Sequence, residues 1–232
     1  MKQENNKGWL FLLSVELIIL LLLAIALFLL VFSVSVVFIG KNRVFDENVF
    51  NFISHFVTAS RTHFFLFITS LGKHSFLVPA YLILLAWFFF RRNKLFFAKV
   101  FVLSLSSLGL MWLLKNIIQR ARPDNPLLEM VSGYSFPSGH ALMSMVFYGL
   151  LIHIIRHEVS NRLVSGVASF LLLLLILMIG FSRIYLRVHY TTDVLAGLSA
   201  GFIWLILSLW IIKKLEAGLA SGKTANFKKS NN

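Results

Sequence analysis

Cysteine is absent from this chain, and charge is scarce: Lys, Arg, Asp and Glu together make up 13% of its 232 residues. Without a thiol there is no disulfide, no thiolate nucleophile and no cysteine-bound metal, although the redox compartment stays open. Internal repeats and low-complexity domains are missing as well. So little charge beside 58% hydrophobic residues, with a mean hydropathy of +0.83, excludes an ordinary soluble domain. The length accommodates one domain or at most two small ones.

What the chain has instead is a series of apolar runs long enough to cross a bilayer, for which about 20 residues suffice. They predict an all-α, polytopic membrane protein with six transmembrane helices, near 12–39, 75–90, 96–117, 140–156, 163–182 and 190–212. The first run, from Trp9 to Ile39, is too long for a signal-peptide core and has no obvious small-residue cleavage site, so it reads as a retained span. A single six-helix domain is expected over 1–216, followed by a flexible basic tail over 217–232.

The net charge of +13 would point to nucleic acid in a soluble protein. Here the cations sit in short loops beside the apolar runs, so the expected partners are the bilayer and a membrane lipid, with no nucleic acid. Six spans place thirteen of the 22 Lys and Arg residues on the side that holds both termini. Counted over cations alone, that bias puts the termini in the cytoplasm and the other loops outside. Segment 45–72 is neither a clean span nor a plain loop. Phe45, Val49, Phe52 and Phe56 recur at helical spacing, and Phe64, Ile68 and Leu71 continue the pattern. It reads as an amphipathic helix or helix pair in the outer interface, packing on the bundle or gripping lipid.

Three polar blocks resist the composition, and all fall on the outer side. In "KNIIQRARP", Lys115 and Arg122 are seven residues apart and would share a face of a continuing helix; two cations without an acidic neighbour invite an anion. Pro123 disfavours helix at Arg122 and turns the chain out of the membrane. In "YSFPSGHALMSMVF", Pro137 can turn the chain and Gly139 permits close backbone approach. A helix starts near His140, so free N–H groups and the Ser138 hydroxyl make an anion site beside an imidazole. In "SRIYLRVHYTTD", His189 and Asp193 are four apart, a spacing that lets a carboxylate fix an imidazole tautomer, and Arg183 adds a third cation. Each block alone has an ordinary explanation in interface snorkelling or helix capping. Ionisable groups gathered at membrane depth mark function. Two histidines and three cations suit phosphoryl transfer, in which one histidine attacks, the other protonates the leaving oxygen and the cations neutralise the phosphoryl oxygens.

On these residues the chain resembles the membrane-bound type 2 phosphatidic acid phosphatases, whose pattern is Lys-x6-Arg-Pro, Pro-Ser-Gly-His and Ser-Arg-x5-His-x3-Asp. Here those are Lys115 to Pro123, Pro137 to His140, and Ser182-Arg183 through His189 to Asp193, without departure. The resemblance implies that His189 is the nucleophile, oriented by Asp193, and forms a phosphohistidine, and that His140 protonates the leaving group. It implies that Lys115, Arg122, Arg183, Ser138, Gly139 and Ser182 hold the phosphate, without metal or other cofactor. The expected activity is hydrolysis of a lipid phosphate or pyrophosphate at the outer leaflet of a bacterial cytoplasmic membrane. Undecaprenyl pyrophosphate, phosphatidylglycerol phosphate and phosphatidic acid are the candidate substrates. A lipid A phosphatase or phosphotransferase is the alternative within this chemistry, and an anion-binding transporter the alternative outside it. The soluble haloperoxidases of the same superfamily do not fit so apolar a chain.

Overall fold

The computed structural model describes residues 2–38, 44–128 and 132–230, with side chains described over 16–38, 44–128 and 132–218. Its elements are α1 (Lys2–Phe38), α2 (Val44–Ser54), α3 (Ala59–Ser70), α4 (His74–Phe90), α5 (Lys94–Ile118), α6 (Gly139–Glu158), α7 (Arg162–Tyr185) and α8 (Thr191–Ser230). Among the described residues there is no strand. The expected basic tail, 217–232, falls largely on residues whose side chains lie outside the described set.

Among the described residues, six stretches are long and apolar enough to span a membrane: Glu16–Phe38, Ala59–Phe90, Lys94–Ile118, Gly139–Glu158, Arg162–Tyr185 and Thr191–Gly218. The second begins well before the residue 75 expected from sequence. The reason is length: α4 has 17 residues, which rise only about 25 Å against a hydrocarbon core of about 30 Å. The apolar α3 completes that stretch. Segment 45–72 does hold a helix pair, and of the two only α2 lies outside the candidate spans.

Helix starts follow local chemistry. The Asn93 side chain accepts from Phe96 N at 3.2 Å to open α5, and that of Asn161 accepts from Leu163 N and Val164 N to open α7. These caps satisfy amides that have no partner within the helix. At the centre is α6, packed against α5, α7 and α8. Its Leu142, Val146 and Leu150, spaced one turn apart, are fully buried against a core that includes Val100, Leu103, Ile176 and Ile179. The outward faces carry exposed apolar residues such as Leu17, Phe28, Phe90 and Leu163.

Lipid tails are as apolar as leucine, so close packing and hydrogen bonds, more than hydrophobic transfer, hold such a bundle. The contact between α6 and α8 has the small-x3-small pattern that permits this, in Gly197 and Gly201. A Cβ on Gly197 would stand 2.6 Å from Ser138 O, and one on Gly201 would stand 2.8 Å from Leu142 O. Both obstacles are backbone, which cannot rotate aside. Gly201→Val should therefore force α6 away from α8 and lower stability by on the order of 1–3 kcal/mol. Thermal unfolding in detergent checks this, and an unchanged midpoint would refute the contact.

Candidate active site

The ends of α5 and α7 and the starts of α6 and α8 bring the three polar blocks together. The first enters differently from its sequence reading. Helix α5 stops at Ile118, and Gln119 caps it in the left-handed conformation at φ 49°. Lys115 and Arg122 therefore do not share a helical face: Lys115 reaches out from the last turn of α5, whereas Arg122 lies on the loop beyond. Pro123 disfavours helix at Arg122, but the helix already ends before it, at the left-handed Gln119. Both cations nevertheless arrive at one place. Lys115 Nζ donates to Tyr134 O at 2.5 Å, and Arg122 Nε donates to the adjacent Gly133 O at 2.9 Å. Arg122 Nη1 also donates to Val188 O at 2.9 Å and faces His189 Nε2 at 3.3 Å.

The second block starts α6 as expected. Ser138 is its N-cap, accepting from Ala141 N at 3.5 Å through Oγ, which leaves the hydroxyl proton free to donate. A Cβ on Gly139 would meet Met111 Sδ at 2.8 Å, so glycine here lets the start of α6 close on α5 at Met111, one turn before Lys115. The α3–α4 turn presses on His140 from the other side: a Cβ on Gly72 would stand 3.1 Å from His140 Cδ2. His140 Nε2 is buried without a partner.

The third block lies at the end of α7 and the start of α8. His189 precedes α8 and Asp193 lies in its first turn. The His189 Nδ1 to Asp193 Oδ2 distance is 3.6 Å, an ion-pair separation longer than a hydrogen bond. Ser135 bridges the two. Its Oγ lies 3.3 Å from His189 Nδ1 and donates to Asp193 Oδ2. Because Ser135 gives its proton to the carboxylate, it accepts from His189 Nδ1–H, and the lone pair is left on Nε2, beside Arg122. Burial pushes the His189 imidazole down to about 4, against the opposing pull of Asp193. The ring is therefore neutral at physiological pH. Burial likewise pulls Arg122 below its ordinary value, opposed by Asp193.

Arg183 is 2% exposed, donates through Nη1 to Thr69 Oγ1 at 2.6 Å and keeps a buried Nε without a partner. Ser182 is the exception among the expected phosphate ligands, since its hydroxyl donates to Ile179 O at 2.6 Å within its own helix. The unpartnered Arg183 Nε and His140 Nε2 are the kind of buried polar atoms that a bound group would satisfy. Among the described residues, no group of three or more His, Asp or Glu side chains could hold a metal ion. Two of the histidines without an assigned role have local partners: His55 Nδ1 pairs with Asn51 O at 2.8 Å and His153 Nε2 with Lys99 Nζ at 3.0 Å.

Sequence reasoning missed three residues. Ser135 sits two residues before Pro137 in the quoted stretch, but a serine there carries no distinguishing spacing. Arg120 lies inside the first block, and its position two residues before Arg122 was the available signal. Asp46 of α2 had none, because its partners are 74 and 146 residues away.

Comparison with known proteins agrees with this geometry. The model of the PAP2 superfamily matches residues 95–217, which contain all three blocks. Phosphatidylglycerophosphatase B of Bacillus subtilis (strain 168) is 32% identical over 157 residues, covering 64% of this chain and 74% of that protein. Dolichyldiphosphatase 1 of Homo sapiens is 30% identical over 132 residues, covering 51% and 56%. The crystal structure of a PAP2 type phosphatidylglycerolphosphate phosphatase from Bacillus subtilis superposes with a TM-score of 0.71 at 28% identity, over 81% of this chain and 94% of that one. The structure of Aquifex aeolicus LpxE shares the fold, with a TM-score of 0.57 at 24% identity over 73% and 97%. With six candidate spans and an intact set of motif residues, this chain belongs to the PAP2 superfamily as a multi-pass membrane lipid phosphatase.

Proposed function

We propose that the enzyme hydrolyses a lipid phosphate or pyrophosphate at the outer face of a bacterial cytoplasmic membrane, through a phosphohistidine on His189 and without a metal. The observation that carries this reading is the setting of His189: buried, with Nδ1 3.3 Å from Ser135 Oγ and Nε2 3.3 Å from Arg122 Nη1.

In the first step His189 Nε2 attacks phosphorus, and the bond from phosphorus to the leaving oxygen breaks. His140 gives that oxygen a proton, and the entering phosphate supplies the negative charge that keeps this proton on the imidazole until then. The cation forming on His189 is stabilised through Nδ1 by Ser135 and Asp193. Lys115, Arg122 and Arg183 face the phosphoryl oxygens, joined by the Ser138 hydroxyl and the Gly139 amide at the start of α6. In the second step water gives its proton to His140 and its oxygen to phosphorus. The N–P bond breaks, inorganic phosphate leaves, and His189 returns neutral.

Similarity to a phosphatidylglycerophosphatase supports a glycerolipid phosphate such as phosphatidylglycerol phosphate or phosphatidic acid. Similarity to dolichyldiphosphatases supports a polyprenyl diphosphate such as undecaprenyl pyrophosphate. Lipid A phosphatase or phosphotransferase activity is the second reading, kept because the same site chemistry serves it. The excess of cations on the side of the termini supports cytoplasmic termini and an outward-facing site. The domain is proposed to end near residue 216.

Three outcomes are expected. Purified protein in detergent releases phosphate from a panel of lipid phosphates and pyrophosphates in EDTA, and His189→Ala abolishes release; turnover that survives the substitution would overturn the mechanism. The acidic limb of kcat/KM, corrected for substrate ionisation, falls near pH 4, since a proton on His189 blocks attack only below its lowered value. A limb near the ordinary value, about 6.5, would refute a desolvated nucleophile. On this cysteine-free background, Asn125→Cys reacts with an impermeant thiol reagent in intact cells. Labelling only after permeabilisation would invert the topology.

A further inference from the structure

Asp46 lies on α2, outside the motif blocks and in the segment for which the sequence offered no chemical role. Its side chain is completely buried, which a carboxylate tolerates only when paired. Thr192 N donates to Oδ1 at 3.0 Å, Thr192 Oγ1 to Oδ2 at 2.9 Å and Arg120 Nη2 to Oδ2 at 2.8 Å. Arg120 then carries the contact onward. Its Nη1 donates to Asp193 Oδ1 at 2.6 Å and to Thr192 Oγ1 at 2.7 Å, and its guanidinium lies 4.0 Å over the Tyr190 ring. Burial lowers Arg120, but the Asp193 and Asp46 carboxylates outweigh it and hold the guanidinium above its ordinary range.

The division of donors is the informative part. An arginine facing a single carboxylate tends to close on it with two parallel bonds, occupying both oxygens and cancelling the charge. Here Asp46 takes Nη2, so Asp193 is engaged through Oδ1 alone. Its Oδ2 is left for Ser135, for Tyr190 N at 2.9 Å and for the His189 side. Two carboxylates around one guanidinium also leave a net negative charge, which is what an imidazole becoming cationic requires. Asp46 touches none of the reacting atoms.

We propose that Asp46 is a positioning residue of the phosphatase reaction: it holds Arg120 so that the guanidinium orients Asp193 through one oxygen without neutralising it. The inference rests on His189 as the nucleophile. It gives α2 a task in catalysis, since this outer helix delivers the carboxylate that completes the support of the nucleophile.

The test is steady-state kinetics of the full chain in detergent, on the panel lipid it turns over fastest, with thermal unfolding recorded for every variant. Asp46→Asn keeps the side-chain shape and removes the charge. It should lower kcat by roughly 10- to 100-fold, the range for losing a partner that orients a functional imidazole, and leave KM within about twofold. Arg120→Gln should be worse, because it leaves two buried carboxylates, Asp46 and Asp193, without the cation between them. The double variant Asp46→Asn/Arg120→Gln, in which Asp193 is the remaining charge of the trio, should recover about tenfold or more over Arg120→Gln, a coupling that independent structural losses would not give.

Wild-type kcat in Asp46→Asn, a loss seen only in KM or in unfolding temperature, or a double variant no better than Arg120→Gln would overturn the proposal. If Arg120→Gln does not fold, the division of the Asp46→Asn effect between kcat and KM decides it. His189→Ala separates the two levels: turnover there would overturn the nucleophile and this inference together. Its loss, beside an unimpaired Asp46→Asn, would overturn the inference alone.

Discussion

The site depends on one saturated carboxylate. Asp193 is 0% exposed, and its two oxygens accept from Arg120, Ser135 and Tyr190 N while facing His189. Its backbone carbonyl accepts from Ser138 N at 2.9 Å. One residue thus ties the loop after α5, the start of α6 and the approach to α8. A bare buried carboxylate would be strongly disfavoured, so these donors together stabilise the fold as well as position the carboxylate. Assembly of the proposed anion site and stabilisation of this end of the bundle are the same set of bonds.

The cations around that centre have a different logic. Lys115, Arg122 and Arg183 lie near one another with backbone carbonyls or a threonine as their neutral partners. Carbonyl oxygens orient these groups without cancelling their charge, and a phosphate can then take the unspent field. Arg120, by contrast, is consumed by two carboxylates and has no charge to offer. Two arginines separated by one residue in sequence therefore do opposite work, and what distinguishes them is whether the partner is charged.

Much of this was legible before any coordinates. The apolar runs announced the spans, and the spacing of His189 from Asp193 announced their association. The start of α6 was readable because proline, serine and glycine constrain backbone and capping locally. Where sequence reasoning failed, the cause was a local helix break or distance along the chain. The shared-face argument for Lys115 and Arg122 assumed a helix that Gln119 ends, although the two still converge through the loop. Ser135 inserts between His189 and Asp193, which a four-residue spacing cannot reveal. Asp46 joins from another helix, and a periodicity that described α2 as amphipathic said nothing of its one buried carboxylate. The second span began early for the plainer reason that α4 is too short to cross alone.

The glycine contact between α6 and α8 has a mechanical consequence. These helices carry His140, the proposed general acid, at one start and Asp193, the proposed orienting carboxylate, at the other, and they meet at backbone distance through Gly197 and Gly201. A seam that tight has no slack for hinge or shear, so the two behave as a single stiff beam. The separation of His140 from Asp193 is thus held by the seam. Whatever movement admits a headgroup or frees phosphate must come from the elements around the beam.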